Sequence, residues 1–367
     1  MNNKKAIHLV AAARPNFMKI GPIFHALVKE EWAEPIIVHT GQHYDLNMSD
    51  TFFNDLNLPK PHIHLGVGSG THAEQTGGVM IAYEKVLAEN MPDMVIVVGD
   101  VNSTVAATLT AVKLGIKVAH LEAGLRSFDR TMPEELNRLV TDTLADIHWT
   151  PSPDGDENLL NEGIPPEKIH RVGNIMIDSL EMMRGRIDQE QTYSSLGFKS
   201  GGYGVVTLHR PANVDPPDML KKICLFLTDI AKKIPLVFPV HPRTMKNIEK
   251  HGYLSLLNDF PNLRLLEPLS YIPFMNLVFN CRLVITDSGG IQEETTYLGI
   301  PCLTLRDNTE RPITITQGTN RLCNVTSLVD NVNDIIDENC SKQEVPELWD
   351  GHTAERVAQS IENFLKV

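Results

Sequence analysis

The sequence predicts an α/β protein with two domains, in each of which strands and helices alternate. Short apolar runs recur along the chain, and each is followed by a turn and then by apolar residues at helical spacing, which is typical of parallel strands covered on both faces. The chain has 367 residues, which is long for one domain and sufficient for two. A helical stretch and then a polar, glycine-containing segment at 194–204 favour domains at 1–173 and 174–352.

The composition narrows the class of protein. A hydrophobic share of 42% is enough for sizeable cores, and a net charge of −13 argues against a broad nucleic-acid surface. The sequence has no run of 18 apolar residues, and its first residues show no apolar h-region or cleavage site, so we expect a soluble, cytoplasmic protein with no membrane partner. The cysteines show no zinc spacing, and we interpret them as reduced core thiols. They are Cys224, Cys281, Cys302, Cys323 and Cys340.

The first predicted strand, at 6–12, leads into a turn that carries Arg14 and Lys19 at its two ends. These cations would lie at the carboxyl edge of the sheet, where open α/β folds bind ligands. The alternative is that they are solvated charges at the start of a helix. Because cations oppose the dipole at a helix N-terminus, we favour the functional interpretation slightly.

Acidic residues follow two further strands. Asp100 ends a buried strand and Glu122 ends the next, so both carboxylates are expected in one crevice, where crowding raises their pKa values and suits proton transfer. Alternatively, Asp100 is a helix N-cap. Glu134 forms a capping box with Thr131, or it is a third acid at the same edge if the loop folds back.

Two other polar segments have simpler interpretations. Gln42 and His43 follow the second strand, and we interpret them as part of an ordinary loop. Asp154 and Asp156 form a D-x-D pattern that holds a metal in some glycosyltransferases, but here it opens a helix, where acids suit the dipole. We therefore predict no metal site.

The most informative segment of the second domain is 284–301. It reads as a buried strand, a tight turn with Ser288, Gly289 and Gly290, and a helix that stops near Gly299. The amides of the first helical turn form an anion site, and Glu294 could accept both hydroxyls of a ribose. This predicts a nucleotide site. An equally weighted alternative is a plain turn that uses glycine for its positive φ.

Other candidate residues lie on neighbouring β-to-α loops of this domain. His209 stands beside Arg210 on the first such loop, and His241 takes the same position after the next strand. Phe274 could stack on a base, although core packing is the commoner fate of an aromatic residue. Segment 306–311, which includes Arg311, supplies further cations. The amphipathic helix at 353–367 is expected to pack back on the first domain.

Six segments, taken together, resemble the non-hydrolysing UDP-N-acetylglucosamine 2-epimerases. Their order and spacing match that family essentially from end to end. The segments are Arg14-Pro-Asn-Phe-Met-Lys19, Val98-Gly-Asp100, His120-Leu-Glu-Ala-Gly-Leu-Arg126, Pro133-Glu-Glu-Leu-Asn-Arg138, Thr207-Leu-His-Arg210 and Asp287-Ser-Gly-Gly-Ile-Gln-Glu-Glu294.

The resemblance implies a GT-B-like fold, with two Rossmann-like doubly wound domains facing a central cleft, and a homodimer. It also implies inversion at C2 of UDP-GlcNAc to give UDP-ManNAc, without a metal or a redox cofactor. In that mechanism UDP leaves by anti elimination to form a 2-acetamidoglucal. UDP then adds back after the sugar is protonated on its other face.

The resemblance also implies roles for single residues. The acid/base carboxylates are Asp100, Glu122 and Glu134, and His209 contacts the departing phosphate. The charged and polar groups of the substrate are held by Arg14 and Lys19, and Arg311 is a further substrate contact. Ser288, Gly289 and Gly290 bind the pyrophosphate, Glu294 the ribose and Phe274 the uracil.

This chain departs from the family at one motif. Some bacterial members bind a second UDP-GlcNAc as an activator through a Gln-His-x-Gln motif, which here reads Gln42-His43-Tyr44-Asp45. The candidate regulatory residues are Gln42, His43 and, outside the motif, His241. Asp45 replaces the second glutamine and would repel an anionic activator, so we do not expect activation. The alternatives are a UDP-2,3-diacetamido-2,3-dideoxyglucuronate 2-epimerase, a hydrolysing epimerase, a GT-B glycosyltransferase and a non-catalytic UDP-sugar sensor.

Overall fold

The computed structural model describes residues 4–41, 53, 55–337 and 344–367, with Arg14 described by its backbone alone. The chain divides into two compact units. Unit 1 comprises Met1–Met182 and Glu347–Val367, and unit 2 comprises Met183–Pro346. The division falls inside helix α6 (Ile175–Gln189).

Unit 1 is built on a seven-stranded parallel sheet in the order β3-β2-β1-β4-β5-β6-β7. The strands are β1 (Lys5–Ala11), β2 (Ala33–His39), β3 (Ile63–His64), β4 (Met94–Val98), β5 (Lys117–Leu121), β6 (Ile147–Thr150) and β7 (Ile169–Arg171). The helices are α1 (Arg14–Val28), α2 (His72–Glu89), α3 (Asn102–Lys113), α4 (Pro133–Leu144), α5 (Pro153–Asn161) and, from the end of the chain, α16 (Thr353–Leu365), with a 3₁₀ turn at Pro166–Lys168. Helix α16 packs against α1.

Unit 2 is built on a six-stranded parallel sheet in the order β10-β9-β8-β11-β12-β13. The strands are β8 (Gly204–Thr207), β9 (Leu236–Pro239), β10 (Leu263–Leu266), β11 (Leu283–Thr286), β12 (Cys302–Leu305) and β13 (Asn320–Cys323). The helices are α7 (Thr192–Ser195), α8 (Pro211–Val214), α9 (Pro217–Ala231), α10 (Pro242–Lys250), α11 (Leu254–Asn258), α12 (Tyr271–Phe279), α13 (Gly289–Leu298), α14 (Ile313–Thr316) and α15 (Leu328–Ile336), with a 3₁₀ turn at Val325–Ser327.

Both sheets have the strand order of a Rossmann fold, which confirms the predicted fold class. Burial of the central strands explains why the sequence shows continuous apolar runs. All five residues of β4, for example, are buried between helices. In each unit the strand order reverses beside the first strand, and the carboxyl ends of the strands around that point carry the candidate residues. In unit 1 these strands are β1, β4 and β5, and in unit 2 they are β8, β9 and β11.

Local details confirm some sequence predictions and correct one. Four of the five cysteines are free and buried, as expected, and Cys340 lies outside the described residues. The prediction of a capping box formed by Thr131 and Glu134 is wrong. Helix α4 begins at Pro133 with Met132 as its N-cap, and the Thr131 hydroxyl donates to Asp129 instead. Across the described part of the chain, no helix is both long and apolar enough to cross a membrane.

Candidate active site

In unit 1, Lys19 and Glu122 meet at the carboxyl edge of the sheet. Glu122 directly follows β5 and is only 5% exposed, and Lys19 Nζ donates to its Oε2. A methyl group added at Gly99, which has a φ of +65°, would lie 2.9 Å from the same Nζ. The backbone of Glu122 is itself left-handed, with a φ of +68°. Because a non-glycine residue seldom adopts this conformation, the turn carries strain of the kind that marks functional sites.

Asp100 lies at the end of the neighbouring strand. Its carboxylate is one-third exposed and accepts a hydrogen bond of 2.5 Å from Arg138, which is buried. The N-cap of the following helix is Val101, so the alternative that Asp100 caps this helix is wrong. The sequence analysis did not single out Arg138 as the partner of Asp100, although Arg138 is the only cation in one of the six family segments.

The acids at the start of α4 divide into one exposed and one buried side chain. Glu134 is exposed, whereas Glu135 is buried and accepts from Ser127 and from the backbone of Phe128. Arg138 bridges Glu135 and Asp100. Burial by itself raises the pKa of Glu135, but hydrogen bonds from the Ser127 amide and Arg138 outweigh it and hold the pKa below its usual value. Glu135 therefore anchors the loop before α4, and sequence reasoning singled out its neighbour instead.

In unit 2, the turn between β11 and α13 leaves the start of the helix open. Ser288 is the N-cap, and its side chain makes no cap hydrogen bond. Neither Gly289 nor Gly290 has a positive φ, so the alternative that these glycines serve a left-handed turn is wrong. A methyl group at Gly290 would have no atom of the described residues within 4 Å. The missing side chain therefore leaves space above amides that a helix cannot pair internally, which is an arrangement suited to an anion.

Glu294 lies one turn into the same helix. It is only 2% exposed, and its Oε1 accepts a hydrogen bond of 2.6 Å from the hydroxyl of Tyr271. Tyr271 begins α12, which also carries the half-buried Phe274. The structure thus connects the two helices that hold the predicted ribose and uracil contacts, and Tyr271 is the contact that sequence reasoning did not assign.

His209 and His241 lie together on adjacent β-to-α loops, with ring centroids 5.6 Å apart. Asp287 is fully buried between β11 and the His209 loop, and its Oδ1 lies 3.1 Å from His209 Nδ1. Asp287 also accepts from the amides of His209 and Arg210. Burial raises the pKa of Asp287, but hydrogen bonds from His209 and Asn213 keep it below its usual value. An ionised carboxylate therefore holds the His209 loop beside the anion site.

His241 is the N-cap of α10, and its Nδ1 accepts from the amide of Arg243. Burial lowers the pKa of His241, and the charges of His209 and Arg243 lower it further. The imidazole is therefore biased toward its neutral form, which suits the acceptor role it has in the cap.

The cations of segment 306–311 are paired within the protein. Arg311 lies 2.8 Å from Glu293 and 2.6 Å from Glu310, and Arg306 lies 2.8 Å from Glu310. Burial raises the pKa of Glu310, but the two arginines outweigh it and hold the pKa far below its usual value. Buried carboxylates therefore balance both arginines within the protein.

Several candidate residues take no part in the contacts described above. Gln42, His43 and Asp45 lie outside the described residues, and only the backbone of Arg14 is described, at the start of α1. Asp154 and Asp156 lie in the first turn of α5, as predicted. Asp156 accepts two hydrogen bonds from Arg171, so an internal cation holds this carboxylate.

Comparison with known proteins decides the family. Residues 25–362 match the family model described as UDP-N-acetylglucosamine 2-epimerase. The chain belongs to the UDP-N-acetylglucosamine 2-epimerase family. A member from Methanocaldococcus jannaschii, named UDP-N-acetylglucosamine 2-epimerase, is 43% identical over 324 residues, which cover 86% of this chain and 87% of the relative.

Solved structures and a relative named for a different UDP-sugar also match this chain. The crystal structure of Methanocaldococcus jannaschii UDP-GlcNAc 2-epimerase in complex with UDP-GlcNAc and UDP matches with a TM-score of 0.87 and 39% identity, over 98% of this chain and 99% of that one. The fold of this chain is accordingly GT-B-like. A Pseudomonas aeruginosa relative named UDP-2,3-diacetamido-2,3-dideoxy-D-glucuronate 2-epimerase is 41% identical over 317 residues, which cover 85% of this chain and 86% of the relative.

Proposed function

We propose that this protein is a non-hydrolysing epimerase that interconverts UDP-GlcNAc and UDP-ManNAc. The observation that carries the chemistry is the placement of Asp100 and Glu122 at the carboxyl ends of the adjacent strands β4 and β5. Each carboxylate has a buried cation as its partner, Arg138 for Asp100 and Lys19 for Glu122. Epimerisation needs a proton removed from C2 on one face and returned on the other, and two positioned carboxylates supply two carriers.

The reaction also needs a good leaving group, because a C2 hydrogen is a very weak acid. In the proposed anti elimination, the C2–H bond and the C1–O bond to UDP break, a 2-acetamidoglucal forms and UDP departs. UDP then re-forms the C1–O bond as C2 is protonated on the other face. Amides and cations aimed at the departing diphosphate each contribute roughly 2.7–4 kcal/mol, by analogy with an oxyanion-hole donor.

Each unit has its own part in this proposal. Unit 2 binds UDP, with the diphosphate on the first-turn amides of α13, the ribose on Glu294 and the uracil on Phe274, while His209 contacts the departing phosphate. Unit 1 supplies Asp100 and Glu122, and Glu134 acts as a third acid. Arg14, Lys19 and Arg311 are proposed contacts to polar groups of the substrate. For Arg311 this requires that the guanidinium exchange part of its pairing with Glu293 and Glu310.

Incubating UDP-GlcNAc with the protein in deuterated water tests the function directly. Proton NMR is expected to show UDP-ManNAc as the product, with deuterium incorporated at C2, because the acid that protonates C2 exchanges its proton with the solvent. UDP with free ManNAc as the main product would instead indicate a hydrolysing enzyme. Turnover confined to a parallel sample of the 2,3-diacetamido-2,3-dideoxyglucuronate substrate would reassign the sugar.

Gly290→Ala tests the proposed diphosphate site without disturbing the fold. The backbone at Gly290 is not left-handed and the space beside it is open, so the free energy of unfolding is expected to stay equal or rise by up to about 1 kcal/mol. The new methyl group would occupy the space that a diphosphate needs, and we expect the Kd for UDP, measured by calorimetry, to rise at least about tenfold, a loss of about 1.4 kcal/mol.

Gly185→Ala is the matched control for this variant. Gly185 lies inside helix α6, has no positive φ and also has open space beside it. It should therefore gain the same helix propensity and bind UDP like the wild type. Unchanged UDP affinity in Gly290→Ala would show that the diphosphate does not bind at this helix start.

We also propose a cytoplasmic homodimer, as the resemblance to the family implies. Support comes from Leu136 and Val140, which are 46% and 40% exposed and lie four residues apart on one face of α4. These two exposed aliphatic side chains are a candidate contact for a second copy of the chain.

A further inference from the structure

His120 is a fully buried imidazole that the proposed chemistry does not use. Its Nδ1 lies 2.5 Å from Oδ1 of Asp142, and its Nε2 lies 2.8 Å from the backbone carbonyl oxygen of Gly99. Both His120 and Asp142 have no exposed side-chain surface. Such contacts are worth more inside the protein than on its surface, because water does not compete for them.

Asp142 accepts hydrogen bonds from several donors. Its Oδ2 lies 2.7 Å from Arg126 Nη2 and 3.1 Å from the amide nitrogen of Gly124. Burial raises the pKa of Asp142, but the charge and hydrogen bond of His120 and the charge of Arg126 lower it to about 2. Asp142 is therefore an ionised acceptor. Since a carbonyl oxygen and a carboxylate both accept, the geometry places a proton on each nitrogen of the His120 ring.

The charges around this pair balance within unit 1. The protonated ring and Arg126 face Asp142, and Arg126 also lies 2.6 Å from Glu162. Two cations thus face two carboxylates, which is the condition under which buried charges are tolerated. His148, on the neighbouring strand, adds a hydrogen bond between its Nε2 and the backbone carbonyl of Asp142.

The pair connects the two turns that carry the candidate acids. His120 donates to the carbonyl oxygen of Gly99, which directly precedes Asp100. Asp142 accepts from the amide of Gly124, which lies two residues after Glu122. Gly99, Glu122 and Gly124 have φ values of +65°, +68° and +79°. Glycine adopts this conformation freely, so the strain falls on Glu122, whose left-handed backbone persists because surrounding contacts hold it. The buried pair bonds to both of these turns.

We propose that His120, acting with Asp142, is a positioning residue that fixes Asp100 and Glu122 relative to each other for proton transfer at the sugar. This inference rests on the proposed function. It adds that the distance between the two proton carriers is set by a contact beneath them and not by their own side-chain partners alone. An error of about 1 Å in such a placement lowers the rate about 10²-fold.

The variant His120→Gln tests the proposal. Glutamine cannot donate to both Asp142 and the Gly99 carbonyl, so one of the two hydrogen bonds of the His120 ring is lost. We expect kcat for UDP-GlcNAc epimerisation to fall about 10²-fold, while KM stays within about threefold. The matched control is His148→Gln. His148 is equally buried, lies opposite His120 in the β5–β6 register and also bonds to Asp142, but it holds no acid-bearing turn. Its kcat should stay within about threefold of wild type.

A double-mutant cycle separates positioning from a general loss of stability. Asp142→Asn keeps the shape of the side chain, and the combined His120→Gln/Asp142→Asn variant should lose no more rate than the worse single variant, because both act through one link. Independent losses that multiply would overturn the proposal. So would a His120→Gln enzyme with wild-type kcat, or equal losses in His120→Gln and His148→Gln.

A measurement on the wild-type protein keeps the proposal testable even if a variant does not fold. Nitrogen NMR of histidine-labelled protein, at the pH of the activity assay, should show N–H signatures for both ring nitrogens of His120. A single unprotonated nitrogen would overturn the assignment. If the wild type converts neither UDP-sugar, the proposed function fails, whereas an active wild type with a neutral His120 ring refutes only the positioning role.

Discussion

Replacing Glu122 with glutamine is expected to lower kcat by about 10²–10⁴-fold, the range for a positioned general acid or base. Glutamine keeps the length and most of the shape of the side chain, and its amide oxygen can still accept from Lys19. It cannot take up or release a proton at the working pH. The loss should therefore appear in kcat measured with saturating UDP-GlcNAc, and circular dichroism should show the wild-type fold.

Asp93→Asn is the control for this substitution. Asp93 is also paired with a lysine, at 3.1 Å from Lys5, but this pair lies at the opposite edge of the sheet, where β1 and β4 begin. It should therefore keep wild-type turnover. If Glu122→Gln, Asp100→Asn and Glu134→Gln all turned over like the wild type, the acid/base assignment would be wrong.

Gly124→Ala is expected to destabilise the protein by about 3 kcal/mol or more. Gly124 has a φ of +79°, which costs an L-residue roughly 1–2 kcal/mol. An added Cβ would also collide with the backbone carbonyl of Gly155, at the start of α5. Overpacking adds roughly 1–3 kcal/mol, and backbone atoms cannot rotate out of the way. Denaturant unfolding measures the sum.

Gly115→Ala separates the two costs. Gly115 has a similar φ of +74°, but a methyl group there would meet no described atom within 4 Å. It should lose only the conformational part, about 1–2 kcal/mol. Equal losses in the two variants would mean that the contact between the Glu122 turn and α5 contributes nothing to stability.

The alternation of apolar strands and helices could be read from the sequence because burial on both faces leaves a continuous apolar run. This explains why β4 and β11 were predicted, and why Asp100, Glu122 and the Ser288–Gly290 turn were placed at strand ends. Strand β3, with only two residues, carries no such run. The role of the turn glycines was harder to predict. A glycine that is needed for a positive φ and one that is needed for open space look the same in a sequence.

Residue type and order along the chain determined the fold class, the strand ends and the set of candidate acids, since these depend on local hydrophobic pattern and spacing. Tertiary structure alone decided which charges meet. Lys19 and Glu122 are 103 residues apart, and no periodicity predicts their contact. The same holds for Arg138 with Asp100, Tyr271 with Glu294, and His120 with Asp142. Each pair joins different elements, so its partner was chosen by how those elements pack and not by any pattern within either one.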